Sequence, residues 1–203
     1  MKIFMLIKQL NNTELYRKGT KDSYIRIPNN VDWKVIFNKS NEFQCFMDKR
    51  DGEVFEIRHR ERDVNGNIEH RYDKLGDYYR KYGFNAGDAI LFERRSSLDN
   101  DEYYIDHVKF NSIFMLKSRR GFELLSGDLN SINKHDNNII INEIGWFKKK
   151  ANSKNETLFY DLLIDGKSQI TNYSHDDMIE IKQENGFLYI SLVDKCRVYK
   201  IEI

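Results

Sequence analysis

Where the chain is most charged its pattern alternates strictly, with arginine at every second position. From Val54 to Asp63 it reads VFEIRHRERD, with Arg58, Arg60 and Arg62 at every second position and Ile57, His59, Glu61 and Asp63 interleaved. A strand points successive side chains to opposite faces, so the three guanidinium groups share one face. Val64-Asn65-Gly66-Asn67 follows. Asn-Gly tolerates positive φ at both turn positions and is the strongest short hairpin signal. Ile68, Glu69, His70 and Arg71 bring the chain back, which predicts a two-stranded ribbon with arginines near its tip. Such a ribbon fits the major groove of B-DNA, where arginine pairs bidentately with guanine. The competing structural account is an exposed strand face, its arginines interleaved with Glu56, Glu61 and Asp63 to keep a sheet edge from aggregating.

The period then changes. Leu75, Tyr78, Tyr79 and Tyr82 fall at offsets of three, four and seven, predicting a short amphipathic helix within Tyr72–Phe84 that ends at Gly83. Helical spacing assigns those tyrosines to a packed face rather than to base stacking. Asn85-Ala86-Gly87-Asp88 turns into the apolar strand Ala89-Ile90-Leu91-Phe92. Upstream, Met1 to Leu10 reads as a strand. Its apolar run is short, is interrupted by Lys8 and lacks a small-residue cleavage site, which sets a signal peptide aside. Tyr24 to Ile27 alternates as a strand and Pro28 ends it. Asn29-Asn30 can cap a short helix through Val31, Trp33, Val35 and Ile36. Phe43 to Met47 reads as a buried strand, and Asp51-Gly52 as the turn into the arginine strand.

These blocks, in this order, resemble the B-three DNA-binding domain, the pseudobarrel of plant transcription factors and of EcoRII-like restriction-enzyme recognition domains. Tyr24-Ile25-Arg26-Ile27-Pro28 resembles the early strand that ends at a proline. Val54 to Arg60 resembles the strand opening the C-terminal DNA-contacting arm. Phe84-Asn85-Ala86-Gly87-Asp88-Ala89-Ile90-Leu91-Phe92-Glu93-Arg94 resembles the family's most recognisable segment, and Tyr103-Tyr104-Ile105-Asp106 its closing strand. The resemblance covers residues 1 to about 110. The arm strand carries no tryptophan, unlike many plant members, which moves the resemblance towards the bacterial recognition domains. It implies two DNA-contacting arms. One is the basic loop between Asn11 and Asp22, with Arg17, Lys18 and Lys21. The other is the hairpin, with Arg58, Arg60, Arg62, Asn65, Asn67 and Arg71.

Residues 111–203 lie outside the resemblance. Ile113–Lys117, Ile139–Ile144, Leu158–Ile164, Met178–Lys182, Phe187–Val193 and Arg197–Ile203 read as strands, with hairpin turns at Asp165-Gly166 and Asn185-Gly186 and a short helix over Phe122–Ile132. The expected fold is therefore mainly β with short helices (α+β). A seven-stranded open pseudobarrel over residues 1–110 precedes a second, mainly β module over 111–203, expected to pack on the first because no Pro- or Ser-rich linker separates them. Trp146-Phe147-Lys148-Lys149-Lys150 with Lys154 forms a basic, aromatic-edged stretch that fits a solvated loop first and added phosphate contacts second.

Charge changes this picture locally rather than globally. Thirty-three Lys and Arg balance thirty-two Asp and Glu, so overall charge selects no partner. The first thirty residues, however, hold Lys2, Lys8, Arg17, Lys18, Lys21 and Arg26 against Glu14 and Asp22. Two distant cysteines, Cys45 and Cys196, without a CxxC pattern, fit free thiols in a reducing, cytoplasmic setting. No run approaches the apolar length that spans a bilayer.

Phosphate-loop, dinucleotide, zinc-protease and nucleophile-elbow motifs are missing, and the five histidines lack metal-ligand spacing, so neither cofactor nor metal is expected. Asp165 with Glu180-Ile181-Lys182 matches the Asp plus Glu-x-Lys of magnesium-dependent nucleases in form only. Asp165 belongs to an Asp-Gly turn, and the Glu180 strand runs straight into Asn185-Gly186. Three functions follow in order. The first is sequence-specific double-stranded DNA binding as the target-recognition domain or subunit of a bacterial restriction system, with a nuclease or NTPase partner elsewhere. The second is a magnesium-dependent endonuclease centred in residues 111–203. The third is a protein-binding β-domain.

Overall fold

The computed structural model describes residues 1–15, 23–37, 39–98, 100–136, 138–149 and 153–202. The protein is mainly β, as expected, and its one α-helix among the described residues is short. The chain divides into two compact units, Met1–Phe110 with Asp194–Ile203 (unit 1) and Asn111–Val193 (unit 2).

Unit 1 contains β1 (Lys2–Gln9), β2 (Tyr24–Ile27), β3 (Phe43–Asp48), β4 (Val54–Val64), β5 (Asn67–Asp73), α1 (Gly76–Tyr82), β6 (Ala89–Ser96) and β7 (Asp101–Val108). The described strands of unit 2 are β8 (Ile113–Ser118), β9 (Gly121–Ser126), β10 (His135–Asp136), β11 (Ile139–Lys148), β12 (Glu156–Ile164), β13 (Lys167–Ser168), β14 (Met178–Glu184) and β15 (Phe187–Val193). The chain then returns to unit 1 as β16 (Cys196–Glu202).

The unit 1 sheet runs β16-β1-β6-β7-β3-β4-β5-β2 and curls into a half-barrel. It contains the seven described strands of residues 1–110, plus β16, which pairs antiparallel with β1 from Lys2↔Glu202 to Lys8↔Cys196. From sequence alone residues 194–203 belong with the second module. Their pairing partner lies almost two hundred residues away, and no local pattern encodes so long a link. Among the described residues the strand pairings are antiparallel except that of β3 with β7, where Met47 meets Tyr104.

The inner face of this sheet follows directly from the alternation. Ile25 and Ile27 on β2, Phe46 on β3, Phe55, Ile57 and His59 on β4, and Tyr72 on β5 are all buried. α1 adds Tyr78 and Tyr79 to the core and stops at Gly83, whose φ of 58° is the left-handed cap that glycine supplies cheaply. The expected Asn29-Asn30 helix is instead a single 3-10 turn, Trp33–Val35, capped by Asp32, whose side chain accepts from the Lys34 amide at 3.0 Å. The helix expected over Phe122–Ile132 is replaced by β9 and a 3-10 turn at Leu129–Ser131. Phe122 pairs with Lys117 across a tight hairpin, and burial against Met115, Ile141 and Leu162 outweighs local helical spacing. No helix among the described residues is long and apolar enough to cross a membrane.

Candidate nucleic-acid interface

Cross-strand register decides what the arginine strand presents. β4 pairs with β5 so that Arg58 faces Asp73, Arg60 faces Arg71 and Arg62 faces Glu69. β2 pairs with β5 so that Tyr24 faces Asp73 and Arg26 faces Arg71. Directly opposed residues share a face, so Arg26, Arg58, Arg60, Arg62 and Arg71 lie together on the outer surface of the sheet, with Asp73 and Glu69 among them. Five arginines against two carboxylates leave an excess of three positive charges. The opposite face of the same strands is the hydrophobic core, so neither side can rotate inward.

The two carboxylates are nearly covered, Asp73 at 1 % and Glu69 at 8 % exposure. Asp73 accepts a fork from Arg58, Nε to Oδ1 at 3.0 Å and Nη2 to Oδ2 at 2.9 Å. Arg60 Nε lies 3.1 Å from Asp73 Oδ2 but is not aligned for a hydrogen bond, so that contact is Coulombic. Glu69 accepts from Arg71 Nε at 2.6 Å and pairs with Arg26 Nε at 2.9 Å. Arg71 also stacks on Tyr24, 4.0 Å from the ring centre, and Arg58 lies 5.3 Å over Phe43. Glu56, Glu61 and Asp63 are interleaved with these arginines in sequence, whereas the carboxylate that Arg58 and Arg60 both meet is Asp73 on β5.

Beyond Glu61 and His70 the β4–β5 ribbon has no neighbouring strand on either side among the described residues. Its turn has the expected geometry, Asn65 at φ 55° and Gly66 at φ 82°, and Asp63 Oδ1 accepts from the Gly66 amide at 2.8 Å. Arg62 is exposed and has no ion-pair partner among the described residues. Arg62, Asn65, Asn67 and Arg71 line one groove of about 530 Å3 together with Arg26 and Asn29. These two last residues were missed by sequence reasoning. The alternation of Glu69, Arg71 and Asp73 opposite the arginine strand was the available signal.

Beneath this face a stack braces the ribbon. The Trp33 ring lies 3.9 Å from His59, nearly parallel, and 5.3 Å from His70. The Tyr72 hydroxyl donates to the Trp33 carbonyl at 2.9 Å. Burial holds the His59 imidazole down to about 4, helped by neighbouring His70 and opposed by Glu61 and Asp73. The neutral His59 imidazole therefore sits under a positively charged surface at neutral pH.

No family model matches the chain, and no curated protein matches it. Among solved structures, the Arabidopsis FUS3–DNA complex is similar, with a TM-score of 0.40 and 18 % identity over 51 % of this chain and 94 % of that one.

The other expected positions are placed as follows. Arg17, Lys18 and Lys21 lie outside the described residues. Glu14, close to them in sequence, accepts from the Arg26 amide at 3.0 Å and pairs with Lys8 at 2.9 Å. Lys8 is thus buried and neutralised, and does not belong to the basic surface that its sequence neighbours suggested. Asp165 occupies the β12–β13 turn at φ 49°, whereas Glu180 and Lys182 lie on β14, 3.4 Å apart. β9 and β8 run between β12 and β14, so the structure does not bring the three together. Among the described residues no group of three or more His, Cys, Asp or Glu is arranged to hold a metal ion. In the basic stretch of unit 2, Trp146 is exposed, but Lys149 is paired with Glu123.

Proposed function

We propose that unit 1 binds double-stranded DNA through the outer arginine face and reads sequence with the β4–β5 ribbon in the major groove. The observation that carries this is the continuity of one surface. An arginine-rich sheet face with three excess positive charges runs into a projecting ribbon whose tip offers Arg62, Asn65 and Asn67. Arginine presents a bidentate edge to guanine, asparagine one to adenine, and a two-stranded ribbon fits a groove about 12 Å wide. Arg26, Arg58 and Arg60 would set the register on phosphates, and the tip would read base edges. Arg17, Lys18 and Lys21 would form the second arm, as the sequence resemblance implies. The same resemblance supplies the setting, a recognition module of a bacterial restriction system whose nuclease or NTPase lies on another segment or subunit.

The test is selection of bound duplexes from a random DNA pool, followed by affinity measurement over a salt series. Enrichment of a motif is expected. The slope of log K against log salt should be about −0.9 for each phosphate neutralised. Failure to retain any duplex at low salt would remove this function and leave the protein-binding reading in its place.

A further inference from the structure

We propose that Asp73 and Glu69 are positioning residues of the DNA-binding face, carboxylates that hold its arginines in register at some cost in attraction to DNA. This rests on the DNA-binding reading of unit 1. On charge alone the two acids are a liability, because each repels phosphate. Yet they occupy the centre of the basic face, one on either side of Arg71, and each engages two arginines: Asp73 engages Arg58 and Arg60, and Glu69 engages Arg26 and Arg71. All four arginines meet their carboxylate through Nε. Among the described residues no hydrogen bond is made by the Nη groups of Arg26 or Arg60, and the two Nη groups of a guanidinium are one of the edges that can grip a phosphate or a base bidentately.

The physical gain is preorganisation. An arginine on an open strand face samples many rotamers and must lose them when it binds. Here that freedom is already lost in the unbound protein, and Tyr24 and Phe43 fix two of the guanidinium planes by stacking. Fixed groups reward a matching phosphate and base geometry and penalise a mismatched one, whereas mobile groups bind any polyanion. The carboxylates therefore exchange non-specific affinity for discrimination.

This makes a prediction opposite in sign to simple electrostatics. Asp73→Asn keeps size and removes one negative charge. It should strengthen binding to random duplex by a few-fold at low salt, yet weaken binding to the selected duplex. The ratio of the two affinities should then fall about tenfold or more, on the scale of one lost base contact. Glu69→Gln should act in the same direction at the other clamp.

A readout without DNA separates positioning from charge. In the nitrogen–proton NMR spectrum of the whole chain, the Arg58 and Arg71 Nε–H signals should both be protected from exchange. Asp73→Asn should release Arg58 and spare Arg71, and Glu69→Gln the reverse, which also shows that each variant is folded. An unchanged affinity ratio in both variants would overturn the proposal, as would parallel losses on selected and random duplex. If the unaltered chain retains no duplex while the Nε–H pattern holds, the DNA reading falls. The two clamps are then ion pairs of purely structural use.

Discussion

Two hairpins in this molecule are closed by the same dipeptide and carry different surfaces. β4–β5 turns at Asn65-Gly66 with φ of 55° and 82°, and β14–β15 at Asn185-Gly186 with φ of 52° and 85°. Each buries one face at its base: Ile57, His59 and Tyr72 in the first, Ile179, Ile181 and Leu188 in the second. The faces that remain diverge. The first presents Arg58, Arg60 and Arg62 opposite Asp73, Arg71 and Glu69. The second presents Glu180, Lys182 and Glu184 opposite Ser191, Tyr189 and Phe187, with both aromatics about half exposed. Turn chemistry decides that a ribbon forms, and the alternate residues decide what it can touch.

The sharpest way to break this comparison is to strip one ribbon and spare the other. Replacing Arg58, Arg60 and Arg62 together with alanine should weaken duplex binding by at least about 3 kcal/mol, or more than a hundredfold. Lys182→Ala on the second ribbon should leave binding within about twofold, as expected for one exposed, ion-paired lysine. The triple change also strands the Asp73 carboxylate, so Arg62→Ala is the cleaner single test. Arg62 is exposed and unpaired among the described residues, and its loss should leave the melting temperature unchanged. Binding measured by fluorescence anisotropy decides the matter; equal losses from Arg62→Ala and Lys182→Ala would sink the assignment of the surface.

A second difference lies beneath the faces and responds to pH. His59 is buried with its imidazole held near 4, while the second ribbon contains no histidine. A histidine depressed in the folded state takes up protons more readily when unfolded. Its contribution is therefore fully present above the unfolded value near 6.5 and is lost as pH falls towards 4, up to ~3 kcal/mol by linkage. Burial also depresses His107, so it acts with the same sign. Relative to the intrinsic base-catalysed rate, which itself slows as pH falls, amide protection in β4–β5 should drop between pH 7 and pH 5, and protection in β14–β15 should not. His59→Phe, which keeps an aromatic ring against Trp33, should flatten the dependence. An unchanged profile in that variant would place the proton uptake elsewhere.

Both ribbons were legible in the sequence because Asn-Gly and strict alternation are local signals, and so was the shared face of Arg58, Arg60 and Arg62. What those arginines meet was not. Asp73 sat inside a stretch that helical spacing from Leu75 onward made look helical, and Arg26 reaches the face only because β2 pairs with β5. The opposite error occurred at Phe122–Ile132, where Phe122, Leu125, Leu129 and Ile132 have helical spacing but belong to a strand and a 3-10 turn. Gly121 explains part of it. At φ 144°, with the Tyr160 carbonyl 2.6 Å from where a Cβ would stand, it admits a close strand neighbour that a helix start would not need. Register, close approach and the return of β16 to β1 are long-range facts, decided by packing rather than by neighbours in sequence.

The smallest expected effect separates turn from function at single-residue level. Asn65 and Asn185 both adopt left-handed backbone, which disfavours a side chain with a Cβ by about 1–2 kcal/mol relative to glycine and is best tolerated by asparagine. Alanine at either position should therefore lower stability by about 1 kcal/mol. Glycine at either position should leave stability within about 0.5 kcal/mol, because it accepts the same φ. Only one of the two side chains lines the arginine groove, and that is Asn65. Asn65→Gly should consequently weaken selected-duplex binding by roughly 1–2 kcal/mol, while Asn185→Gly should leave it unchanged. The two glycine variants keep both hairpins intact, so a difference between them reports the asparagine amide alone. If Asn65→Gly binds as the unaltered chain does, the tip supplies only the ribbon's shape, and base reading moves to Arg62 and Asn67.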